Sequence, residues 1–153
     1  MMTDDTSADP PRDEPFAPRP VAGWFLPAAF ASLLFMGLGC LMYLQHVLAD
    51  PAAMTLDQRA AYAAEPAWVT GANAVAVWVG LVGTIFLVMK RKIAEPLLGL
   101  SLVAVLIMLA GLIVTPLRES ASAGDLLATI IIAALTWTIF WFARHSRQRG
   151  WLK

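Results

Sequence analysis

Four stretches of this chain contain no Asp, Glu, Lys or Arg: residues 20–49, 66–89, 96–117 and 126–143. A helix needs about 20 apolar residues to cross roughly 30 Å of hydrocarbon. All four stretches satisfy this, the last narrowly and the first with length to spare for tilt. Backbone groups in lipid must be satisfied within the segment or by a closed barrel, and no strand-like alternation runs through these stretches. The pattern therefore predicts an all-α integral membrane four-helix bundle, with spans at about 21–48, 67–89, 96–117 and 126–143. Composition agrees: 59% of residues are apolar, 14% are charged and mean hydropathy is +0.67. Soluble domains are nearer half apolar and a quarter charged, so a soluble enzyme is not expected. Eleven basic residues balance eleven acidic ones, and no net field recruits nucleic acid. The single cysteine, Cys40, allows no internal disulfide and no multi-cysteine metal site. Within an apolar span it reads as structural.

The connections carry the remaining signals. Arg12, Arg19, Lys90, Arg91, Lys92, Arg144, Arg147, Arg149 and Lys153 fall on one side of the spans, and only Arg59 and Arg118 on the other. By the Lys/Arg bias, both termini are expected to be cytoplasmic. Residues 1–20 are acidic and Pro-rich, lack a basic n-region, and read as a disordered cytoplasmic tail. Residues 144–153 read as a basic cytoplasmic tail. Trp24 and Phe25, Trp68 and Trp141 stand at span ends as interfacial anchors. The one long connection holds Thr55-Leu56-Asp57-Gln58, a capping-box pattern, followed by Ala60 and Ala63 on the face of Leu56. It predicts a short amphipathic helix at the outer interface, either a connector on lipid or the lining of a site.

Few residues offer chemistry. The spans contain no charged side chain, whereas ion pathways and proton relays usually place ionisable groups at membrane depth. Tyr43 and His46 are spaced i, i+3 near the outer end of span one and share a helix face, with Gln45 beside them in sequence. Asn73 lies two turns into span two. With Arg118 and Glu65, these residues make the outer end the polar end of the bundle. Tyr43, Gln45, His46, Asn73 and Arg118 are thus the candidate cluster, as a ligand site or as interhelical glue. His46 lacks a second histidine on its side, so no metal or haem site is expected, and no cofactor. In span two, Ala72, Ala76, Gly80 and Thr84 recur every four residues, with Gly83 adjacent. Such a ladder lets helix backbones approach, within the chain or between subunits.

Other elements are Met36-Gly37, Tyr43, Tyr62, Pro66-Ala67-Trp68, Gly80-Leu81-Val82-Gly83, Lys90-Arg91-Lys92, Ala94-Glu95-Pro96 and Ser101-Leu102. With the Thr55–Gln58 run and the tail Ala143-Arg144-His145…Arg149-Gly150-Trp151-Leu152, they resemble a group of small four-span alphaproteobacterial membrane proteins often described as sugar transporters. The resemblance implies a bacterial inner-membrane location with no defined catalytic motif. The chain departs from the pattern where Met42, rather than an Asp, precedes Tyr43. No nucleophile–base pair, phosphate loop or nucleotide fingerprint is present, so no enzyme is expected. The expected function is that of a non-catalytic membrane protein, self-associating or an accessory subunit of a larger membrane complex. The alternative is a small-solute, sugar-type transporter acting as a homo-oligomer. The lipid bilayer is the expected common partner.

Overall fold

A computed structural model describes residues 21–114 and 123–153. The acidic segment 1–20 and Arg118 lie outside the described residues. The described chain forms five α-helices and one 3-10 turn, with no strand among the described residues. Helix α1 spans Phe25–Val47, a 3-10 turn covers Pro51–Ala53, and α2 spans Leu56–Ala64. Then come α3 at Ala67–Val88, α4 at Ala94–Val114 and α5 at Ala123–Gln148. Four of these are long and apolar enough to cross a membrane, and the chain is built as a multi-pass membrane protein. The fourth helix runs to Gln148, beyond the end of its charge-free stretch.

Local sequence explains where the helices start and stop. Thr55 Oγ1 accepts from Gln58 N at 3.3 Å, and Gln58 Oε1 accepts from Thr55 N at 3.2 Å, so the capping box at α2 is formed. Pro66 stands at the N-cap of α3, and Pro96 is in the first turn of α4, where a missing N–H is harmless. The ends of α3 and α5 share one geometry. Arg91 N donates to Phe86 O and Lys90 N to Leu87 O. Likewise Trp151 N donates to Ser146 O and Gly150 N to Arg147 O. Both are Schellman motifs with a left-handed residue, Lys90 (φ 57°) and Gly150 (φ 72°).

The helices pack in a row: α1 along α3, α3 along α4, α4 along α5. The small-residue ladder serves this packing within the chain. Gly80 lies against Met36 of α1 and Ser101 of α4, and a Cβ there would be 2.7 Å from Met36 Sδ. Gly83 receives Leu98. Ala76 and Thr84 are buried and Ala72 is half-buried. Ser101 Oγ donates to Ala76 O at 2.6 Å, tying α4 to α3 in the core.

Helices α1 and α5 complete the bundle at one end only. There Phe25, Leu87, Ala94, Leu98, Phe142, Ala143, Trp151 and Leu152 form a buried cluster. Phe142 lies 5.5 Å from Trp24 and 5.4 Å from Phe25, centroid to centroid. Trp24 remains half-exposed, as an anchor should, but Phe25 is 0% exposed and belongs to the core rather than the interface. Residues 144–153 carry their basic charges, yet they are part of the fold rather than a tail. After the Gly150 turn the chain runs beside the α3–α4 turn: Lys153 N donates to Lys90 O and Lys92 N to Lys153 O. That strap drives Trp151 and Leu152 into the cluster. Arg147 Nη1 meets Glu95 Oε2 at 2.7 Å across it.

Candidate functional site

At the other end, α1 and α5 separate, and a cavity of about 620 Å³ opens between α1, α3, α4 and α5. Its α1 wall runs from His46 down to Phe35. At 1.5 Å rise per residue that is about 16 Å, roughly half of a ~30 Å hydrocarbon layer. The blind end is formed by Met36, Ser101 and Thr136. The cavity also opens sideways. Leu38 and Met42 on α1 and Ile132 on α5 line it, although they are 54%, 60% and 44% exposed.

Three of the five candidate residues meet here. Tyr43 and His46 from α1 and Asn73 from α3 line the same cavity. The i, i+3 spacing of Tyr43 and His46 turns both inward, whereas Gln45 lies on the exposed side of α1, away from the cluster. Arg118 is outside the described residues.

Glu65 completes the mouth of the cavity. Its Oε2 is 3.1 Å from His46 Nε2, and its Oε1 accepts from Thr70 Oγ1 at 3.0 Å. The His46 ring lies 5.2 Å from that of Tyr62 on α2. His46 therefore joins the deep cavity to a shallower depression of about 430 Å³, lined also by Met54, Gln58, Tyr62 and Glu65. The turn that carries Glu65 is held from both sides: by the capped α2 before it and by Pro66 at the start of α3. Arg59 is engaged elsewhere, donating to Pro51 O at 2.8 Å and to Ala52 O.

The hydroxyls deeper in the cavity were not among the candidate site residues. Ser101 donates to Ala76 O, and Thr136 donates to Ile132 O at 2.8 Å. A hydroxyl in an apolar run usually bonds back to its own helix, as Thr136 does. Ser101 differs by reaching α3, and its signal was its position at mid-span opposite a ladder of small residues. Among the described residues, no group of three His, Cys, Asp or Glu could hold a metal ion. Compared with protein-family models, curated proteins and solved structures, the chain matches none. The fold and the cavity thus define its class, a multi-pass helical membrane protein with a one-ended cavity.

Proposed function

We propose that this chain is a non-catalytic integral membrane protein that works by association, either with its own copies or as an accessory subunit of a larger membrane complex. The observation that carries the reading is the separation of α1 from α5 over the open half of the bundle. This leaves a membrane-depth seam with Tyr43 and Asn73 facing it. A helix pair left unclosed in lipid offers a docking line for another membrane component, and polar side chains along it can bond across. The small-residue ladder is consumed inside the chain, so the seam, rather than the ladder, is the proposed contact. The protein is placed in a bacterial inner membrane with its closed end cytoplasmic. The resemblance of residues 36–102 to small four-span membrane proteins and the clustering of Lys90, Arg91, Lys92, Arg144, Arg147, Arg149 and Lys153 at that end support this.

Native mass spectrometry of the protein released gently from its own membrane tests the reading. Expected is a defined complex, with a second protein or with further copies. A bare monomer under conditions that preserve known membrane complexes would sink it.

A second reading, a small-solute carrier, is favoured by one specific observation. The cavity ends blindly at Met36, Ser101 and Thr136, above the packed Phe25–Phe142–Trp151 cluster, and reaches about mid-membrane. That is the form of one state of an alternating-access device. Sugar uptake lost on gene deletion and restored by the gene would establish it over the accessory role.

A further inference from the structure

The cavity changes character with depth. At its blind end the Ser101 and Thr136 hydroxyl protons are already spent on backbone carbonyls. What those walls offer an occupant is Phe35, Met36, Val105 and Ile132, an apolar lining. Toward the open end stand Tyr43, His46 and Asn73. Among the described residues, Tyr43 Oη and the Asn73 amide have no hydrogen-bond partner. The half-buried Asn73 amide faces the cavity, and a polar group of an occupant would bond to it.

Size and charge narrow the occupant. The volume, about 620 Å³, falls within the range of sites that take one small ligand, roughly 300–1,000 Å³. An anionic head calls for Lys, Arg or an array of backbone N–H groups. Among the described residues lining the cavity and the adjoining depression there is no Lys or Arg. A cationic head would need a free carboxylate, and Glu65 is engaged by His46 and Thr70. The sideways opening past Leu38, Met42 and Ile132 gives entry from the lipid.

We propose that the cavity binds one molecule of a neutral single-chain amphiphile of the monoacylglycerol type. Its hydroxyl-bearing head lies among Tyr43, His46 and Asn73, the first part of its chain runs down toward Met36, and the remainder leaves through the sideways opening past Leu38 and Met42. The inference shares the cavity with the proposed association function but is refuted separately. A chain that co-purifies with a partner protein yet takes no amphiphile leaves the function standing and removes the ligand.

The test uses the purified full chain in phosphatidylcholine vesicles carrying a diazirine-tagged monoacylglycerol. Labelling should saturate at one per chain, be competed by monoolein, and map to residues 35–46 of α1 or 129–136 of α5. Asn73→Leu should weaken binding about tenfold, the effect of one hydrogen bond in a desolvated site. Ile132→Trp, at a position open enough to accept a larger side chain, should abolish it by filling the cavity. Label spread over outward-facing Leu34, Leu41 and Trp78 and not competed by monoolein would overturn the proposal. So would stronger competition by palmitate than by monoolein. Competition and mapping use the unaltered protein, so they decide the matter even if a variant does not fold.

Discussion

The two ends of this bundle are made from the same helices and differ in almost every physical respect. At the closed end, aromatic rings from α1 and α5 interlock, and the strap after Gly150 supplies a third layer. At the open end, α1 and α5 part, and the ties described at the mouth are His46 to Glu65, Glu65 to Thr70 and the His46–Tyr62 ring contact. The difference shows how a small membrane protein can divide its labour. One end fixes the fold with van der Waals packing, the main cohesive force between helices in lipid. The other is thereby free to hold polar groups that would be poor packing elements. This contrast can be broken or sharpened by substitution.

The largest effect is expected from Phe25→Ala. Phe25 is fully buried and touches both Phe142 and Trp151. Removing a buried aromatic costs about 3 kcal/mol or more through lost contacts and the cavity left behind. Reversible unfolding in mixed micelles should show the loss. A cost under about 1 kcal/mol would mean that the aromatic cluster does not hold α1 to α5.

Gly80→Leu comes next. The first atom of any side chain there would sit 2.7 Å from Met36 Sδ and 2.8 Å from Ser101 Oγ. Met36 is flexible and can give way in part, so overpacking of about 1–3 kcal/mol is expected. The same micelle titration measures it. Since Gly80 lies between the ends, the variant should also shift α1 and change the cavity. Unchanged stability and unchanged labelling would contradict the close approach of α1, α3 and α4.

Ser101→Ala should cost less, about 0.6 kcal/mol, a typical value for an interhelical hydrogen bond in a membrane protein. The loss is small because Ala76 O keeps its place in the α3 ladder. A cost of several kcal/mol would place the fold's main anchor at the blind end of the cavity rather than among the aromatics.

Much of this was legible in the residues alone. The absence of charge fixed four spans, and the Thr55–Gln58 spacing fixed the cap of α2. The i, i+3 spacing put Tyr43 and His46 on one face, while Gln45 failed because residues adjacent in sequence point to different sides of a helix. Three things were not legible. Trp151-Leu152 follows a run of basic residues, and its burial depends on where the Gly150 turn aims it. Phe25 reads as an anchor from its position but is turned inward by Phe142. The cavity depends on α1 and α5 diverging, and helix axes leave no local mark in a sequence.

The smallest effect on the fold, and the sharpest on the contrast, belongs to Glu65→Gln. The residue is partly exposed, and partly exposed polar pairs contribute little, on the order of 0.5 kcal/mol. Gln retains an oxygen for the Thr70 hydroxyl and loses the charge facing His46. Global stability should therefore stay within about 0.5 kcal/mol of the parent. The local consequence is different. Helix α2 has little packing of its own, since Leu56 is 81% exposed, and one of its few ties to α1 is the His46–Tyr62 ring contact. Weakening the hold of Glu65 on His46 loosens that ring and, with it, α2. Amide hydrogen exchange over Leu56–Ala64 should speed up while exchange at the closed end, around Leu87 and Ala143, stays unchanged. If both ends quickened together, the bundle would open as one unit, and the division between a packed end and a polar mouth would be only geometric.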